Sequence, residues 1–216
     1  MVINVRARND EDKLERRQAI LAAAAELWEE TTYADFTMAA VAERAGIVKG
    51  TVYLYFETKE QLFLALISEM LGGYFDDVDA GLEEGGRWSK SRVVQVLAGA
   101  LDGRDSFIQM LTVLGNICEH NVSYDQLVAF KRLTLDRFNR TAALLAKRLP
   151  FLTTESALRL VMHLSALAAG LAQVSFPSPL LDKVLDLPDL RVMRVDLKTE
   201  FAAATEALIT GMENAR

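Results

Sequence analysis

The sequence predicts an all-α protein: an N-terminal three-helix head ending in a helix-turn-helix, followed by a larger C-terminal helical bundle. Three observations predict it. Ala and Leu abound, whereas the 216 residues hold only 4 Pro and 12 Gly, a balance that favours helices over sheet. Apolar residues recur at three- and four-residue spacing along most of the chain. Two short helical stretches, Met38–Arg44 and Lys49–Tyr55, are separated only by the break Ala45-Gly46-Ile47. The expected domain boundary lies between residues 58 and 59, giving a 1–58 head and a 59–216 bundle.

Residues 12–30 read as the first helix, with Leu14, Arg17, Gln18, Leu21, Ala24, Ala25 and Trp28 along one stripe. The β-branched pair Thr31-Thr32 before Tyr33 weakens helix propensity and ends it. Thr37 is placed to cap the first short helix, and Gly46 supplies the left-handed residue that ends it and turns the chain. Thr58 and Gln61, three apart, have the form of a capping box opening a long fourth helix. Gly72-Gly73 and the Gly81–Gly86 run are expected to mark the decay of that helix. Ser89 caps a fifth helix reaching 101, and residues 104–120 form a sixth. Residues 123–149 make a seventh, stopped by Pro150 with Lys147 and Arg148 on its C-terminal dipole. An eighth spans about 154–174, capped by Thr153 or Thr154. Pro177, Pro179 and Pro188 punctuate an irregular connection with a short turn near 180–185, and 196–214 is the last helix.

Composition narrows function. With 51% hydrophobic and 25% charged residues, a sizeable core forms and wholesale disorder is excluded. A single cysteine, Cys118, cannot make an intramolecular disulfide, which fits a reducing cytoplasm. No run reaches the roughly 18 apolar residues that a membrane span needs, so no membrane partner is expected. Neither a Ser-His-Asp set, a phosphate loop nor a carboxylate pair is visible, and two histidines leave little for acid–base chemistry. An enzyme, a cofactor and a metal are therefore not expected. Cys118-Glu119-His120 offers three ligating side chains, but neighbours on one helix point about 100° apart and do not converge.

The net charge is −6, and residues 1–60 set eight basic against eleven acidic side chains, a net −3. A nucleic-acid role must then rest on where the charges point. In Lys49–Tyr55, Val52 lies four residues before Phe56, so both face a core and leave Lys49, Gly50, Thr51, Leu54 and Tyr55 outward. Gly50 costs about 1 kcal/mol of helix propensity relative to Ala, which close backbone approach to DNA would justify.

The segment TMAAVAERAGIVKGTVYLYFETKEQLF, residues 37–63, resembles the DNA-binding head of the TetR family. A Thr-capped helix leads through Ala-x-x-Ala-Gly to Gly-Thr-aliphatic-Tyr and Phe-x-x-Lys-Glu, and Ile20, Ala24 and Tyr33 extend the match over about residues 12–65. Two positions depart: Val48 stands where the family has Ser or Thr, and Thr32 where Gly is common. The resemblance implies a DNA-binding regulator with its second short helix in the major groove. The candidate DNA contacts are Thr37 and Lys59 at helix starts, Lys49 and Thr51 at base edges, Gly50, and Tyr53 and Tyr55 on phosphates. Arg6, Arg8 and Lys13 are read either as an arm on DNA or as a solvated tail.

The resemblance further implies a homodimer joined through the last two helices and a small-molecule pocket among residues 90–175. Leu164, Leu167, Ala168 and Leu171 with Ala169 and Gly170, and Phe201, Ala204, Leu208 and Met212, are the candidate interface. The apolar composition points to an apolar effector, with Phe107, Met110, Phe130 and His163 as candidate ligand contacts. His163 is also expected as a buried, hydrogen-bonded group, and Met110, Phe107, Phe130 and Phe138 as ordinary core. The function expected is a cytoplasmic repressor released from a palindromic double-stranded DNA operator by its effector. The alternative is a helical small-molecule-binding protein that has lost DNA binding.

Overall fold

The computed structural model describes residues 2–119 and 122–215, without the side chains of 2–11, 116, 118 and 119. The expectations for the side chains of Arg6, Arg8, Cys118 and Glu119, and for His120, lie outside the described residues. Among those described, the chain is helical, without strands: α1 (Val2–Glu30), α2 (Met38–Arg44), α3 (Lys49–Tyr55), α4 (Lys59–Glu83), α5 (Lys90–Gly99), α6 (Asp105–Glu119), α7 (Tyr124–Arg148), α8 (Thr154–Ser175), α9 (Pro179–Leu185) and α10 (Leu197–Asn214), with a 3-10 turn at Arg191–Met193. Two compact units emerge, one from Met1–Glu69 with Val113–Val128, the other from Met70–Thr112 with Ala129–Arg216.

In the first unit, α1 starts before residue 12 and buries Ile20, Leu21, Ala24, Leu27 and Trp28, while Leu14 of the expected stripe stays exposed. α2 obeys its sequence signals. The Thr37 hydroxyl accepts from Ala40 N at 3.1 Å. At the other end Gly46 takes φ +65°, Gly46 N donates to Glu43 O and Ile47 N to Ala42 O. These two bonds are a Schellman motif, which satisfies the last carbonyls and reverses the chain. α3 begins without a side-chain cap, because Val48 has no oxygen to offer. Val48→Ser should restore it and raise stability by about 1 kcal/mol, read from the denaturant midpoint at unchanged slope.

α4 corrects the sequence reading of its end: it runs through Gly72-Gly73 to Glu83. The second unit makes these glycines useful. A Cβ on Gly73 would lie 3.3 Å from the Arg104 guanidinium, and one on Gly81 2.8 Å from Val96. Arg104 lies flat against the helix, donating to Gly73 O at 3.2 Å and pairing with Asp77. Arg137 likewise pairs with Asp76. The helix ends where Arg148 donates to Leu82 O and Glu84 O. Tertiary contacts here outweigh the propensity cost of glycine.

α8 has the length and composition to cross a membrane, the single described helix that does. It is nonetheless a bundle helix, burying Ala157, Leu160, Val161, Leu164, Ala168 and Ala172 against α10 and neighbours. The Thr153 side chain caps it, in a capping box closed by Ser156. In the 177–195 connection, α9 starts at Pro179, and Arg194 clips Asp182 and Asp186 at 2.9 and 2.7 Å.

Candidate nucleic-acid interface and effector cavity

Helical geometry sets out the face of α3. At 100° per residue, Val52 and Phe56 point one way and are 0% and 1% exposed. Gly50 and Leu54 then point the opposite way, and Leu54 is 82% exposed. Lys49 and Tyr53 flank this apex on one side, with the Lys49 ammonium 5.7 Å from the Tyr53 ring. Thr51 and Tyr55, both half-buried, flank it on the other. The result is a narrow ridge with an open backbone at Gly50, where a Cβ would meet nothing within 4 Å beyond its own helix backbone and chain neighbours. Thr37 is exposed at the start of α2. With its oxygen accepting from Ala40 N, the hydroxyl proton stays available for an outside acceptor.

Lys59 is half-buried at the start of α4. Its ammonium donates to Tyr33 O and sits 3.9 Å from the Tyr33 ring centroid. Burial pulls its pKa down. Tyr33 in turn donates to Glu60 Oε1 at 3.1 Å, and burial followed by the Glu60 charge pushes its hydroxyl up to about 12. Beneath lies an aromatic cluster: Phe63 meets Trp28, Tyr33 and Phe36 edge-on at 5.1, 5.0 and 4.5 Å. Lys59 therefore ties the start of α4 to Tyr33 through a carbonyl and a π face, and an ammonium has two further donors besides the one on Tyr33 O. The sequence reading placed Tyr33 and Lys59 separately and missed the clamp. Residues 26 apart at two helix ends carry no local signal of contact.

Charge on the head is also partly neutralised internally. Arg44 forms a two-pronged pair with Glu30 at 3.0 and 2.5 Å, and Arg17 covers the Phe56 ring at 5.1 Å. Lys13 is exposed on α1.

The second unit holds an apolar cavity of about 50 Å³ between α4, α5, α6, α7, α8 and α10, room for one or two waters at roughly 30 Å³ each. Its walls include Phe75, Leu101, Phe107, Val161, Leu164 and Phe201, and its polar lining groups are Tyr74, Thr141 and Ser165. Of the four expected ligand contacts, Phe107 lines this space. Met110 and Phe130 are buried but are not among the lining residues. His163 is a correction: it is exposed rather than buried, because α8 turns Val161, Leu164, Ser165 and Ala168 to the cavity and position 163 away from it.

Behind the lining lies a buried charge the sequence reading did not single out. Asp79 is 0% exposed. Thr141 Oγ1 donates to its Oδ1 at 2.6 Å, and Arg140 Nε stands 2.9 Å from Oδ2. Burial raises the Asp79 pKa, opposed by the Thr141 hydrogen bond and by Arg140 and Arg137, and helped by Glu83. A carboxyl raised above its unfolded value binds more protons when native, so its contribution to stability falls as pH rises from about 3.9. Asp79→Asn should gain on the native protein as pH increases above that value, measured by denaturant unfolding across a pH series. Its signal in the sequence is position: Asp79 falls four residues after Phe75 and three before Leu82, on the apolar face of α4.

A short helix pair joined by a tight glycine turn, with a ridge of Lys, Thr and Tyr facing outward, defines a helix-turn-helix DNA-binding protein. The model for bacterial regulatory proteins of the tetR family matches residues 20–66, and that for the tetracyclin repressor-like C-terminal domain matches residues 68–216. The chain belongs to the TetR family of DNA-binding transcription regulators, which are not enzymes. It is 32% identical over 65 residues to the fatty acid metabolism regulator protein of Bacillus subtilis (strain 168), covering 30% of this chain and 34% of that protein. Its fold is similar to that of the multidrug binding protein EbrR complexed with imidazole, at 18% identity, 91% and 94% coverage and TM-score 0.60. A transcriptional regulator from Rhodococcus sp. Rha1 matches at 19% identity, 92% and 96% coverage and TM-score 0.62. The fatty acid degradation regulator FadR from Bacillus halodurans matches at 16%, 90% and 94%, and 0.55.

Proposed function

We propose that the protein is a cytoplasmic, homodimeric repressor whose 1–58 head grips a palindromic operator and whose 59–216 bundle pairs the subunits and binds a small apolar effector that releases DNA. The exposed ridge of α3 carries this reading. Lys49 and Thr51 read base edges, Thr37, Tyr53 and Tyr55 hold phosphates, and Gly50 lets the backbone approach, with Leu54 at the apex against thymine methyls. Lys59 fixes Tyr33 and the start of α4 and offers its remaining donors to a phosphate. Retardation of DNA fragments from a random-sequence selection tests the reading, with Tyr55→Ala expected to lose binding. Retention of full affinity by that variant would favour the alternative, a ligand-binding protein without a DNA role, to which the head's net −3 lends some support.

Pairing is supported by two exposed faces. Met162, Ala166, Gly170 and Val174 recur every four residues on α8, and Ala203, Ala207 and Gly211 do so on α10. Small residues at this spacing let helices of two copies approach closely. Leu164, Ala168 and Phe201 leave the expected interface, since they are buried within the bundle and line its cavity. Ala207→Arg is expected to yield monomers by light scattering and to abolish operator binding while leaving helicity unchanged.

The cavity supports the effector assignment through its apolar walls. EbrR is described as multidrug binding and two relatives as regulators of fatty acid metabolism or degradation, and the cavity accommodates an apolar body in either case only if it is small or the walls part.

A further inference from the structure

The apex of the α3 ridge carries no hydrogen-bonding side chain. Gly50 and Leu54 share that side of the helix, one turn apart. Leu54 is 82% exposed, and the space over Gly50 is open. The polar side chains stand on the flanks. On one, the Lys49 ammonium lies 5.7 Å from the Tyr53 ring, and on the other Thr51 is half-buried. Long side chains in a helix lean toward its N-terminus, over the residues three and four before them. Leu54 therefore borders the gap that the missing Gly50 side chain leaves. Together they make a notch with an aliphatic wall and a backbone floor.

The apolar group that a base pair presents in the major groove is the methyl on pyrimidine C5. Thymine always carries it, and cytosine carries it once methylated. This methyl is the size of the group that Gly50 lacks. We propose, on the DNA-binding reading of α3 given above, that the Gly50–Leu54 notch reads a C5 methyl on either pyrimidine, so that cytosine methylation in the half-site strengthens binding. A leucine side chain has neither donor nor acceptor. It is blind to the thymine O4 and the cytosine N4 amino group, the atoms by which the two bases differ in this groove. What it distinguishes is the presence of the methyl.

Single-base exchanges in a selected operator isolate that group. Each thymine is replaced by uracil and each cytosine by 5-methylcytosine, in both half-sites together, and dissociation constants are read by fluorescence anisotropy. At one pyrimidine of the half-site, losing the methyl should weaken binding roughly fourfold per subunit and about 15-fold for the dimer, the worth of one buried carbon on each side. With cytosine placed at that position, 5-methylation should strengthen binding by a similar factor. Both ratios should fall below twofold in Leu54→Ala, which removes the wall, and in Gly50→Ala, which fills the notch. Neither position packs into the head core, and thermal unfolding confirms that the variants fold. Uracil tolerated at every position, 5-methylcytosine weakening binding at the responsive one, or ratios that survive Leu54→Ala would each overturn the proposal. A protein that binds no selected duplex takes the DNA-binding reading down as well. One that holds thymine and uracil operators equally loses the methyl notch alone.

Discussion

Phe63→Ala is expected to destabilise the protein by about 3–5 kcal/mol, the usual cost of truncating a fully buried phenylalanine. Phe63 is 0% exposed, and its ring is the common partner of Trp28, Tyr33 and Phe36. Removing it leaves those three rings facing a void at the junction of α1, the 31–36 turn and α4. Each edge-on pair adds about 0.5–1.5 kcal/mol beyond area burial, so the loss belongs at the upper end of the range. It also unseats Tyr33, and with it the carbonyl and ring that hold Lys59. Equilibrium urea unfolding gives the value. A loss under 1 kcal/mol would mean that the cluster does not organise the head.

Lys49→Ala is expected to weaken operator binding by about 30-fold or more. A good base contact supplies about 1–3 kcal/mol of discrimination, and a twofold dimer makes each contact twice. The Lys49 ammonium, exposed on the flank of α3, makes no ion pair among the described residues of the head, in contrast to Arg44 on Glu30. Its removal should also relax preference at one base position in each half-site. If Lys49 met only phosphate, affinity would fall evenly across sequences and the salt dependence would flatten by about one counterion per contact. Competition among single-base operator variants, at two salt concentrations, separates these outcomes.

The contrast between Arg44 and Lys49 shows how far the sequence could be read. Local signals held: Thr37, Gly46, Ser89 and Thr153 end or begin helices where their side chains or backbone dictate. So did the partition of α3 by its 100° step, because Val52, Phe56 and Leu54 answer to helix geometry alone. Long-range placements were not legible. Gly72-Gly73 reads locally as a break, yet Arg104, 31 residues on, makes it a close approach. His163 and Leu164 are neighbours in an apolar stretch, and only the neighbouring helices decide which faces the cavity. At Thr58 the oxygen accepts from Gln61 N, as a capping box requires, and Gln61 Oε1 reaches back to accept from Glu57 N.

The claim on which the rest stands is that the outer ridge of α3 enters a duplex groove twice, once from each subunit. Hydroxyl-radical and guanine-N7 methylation footprinting on a selected operator tests it most directly. The predicted pattern is two symmetric patches with major-groove guanine N7 protection, separated by a whole number of helical turns, the N7 protection fading in Lys49→Ala. A single asymmetric patch, or two patches confined to the minor groove and indifferent to Lys49, would contradict it.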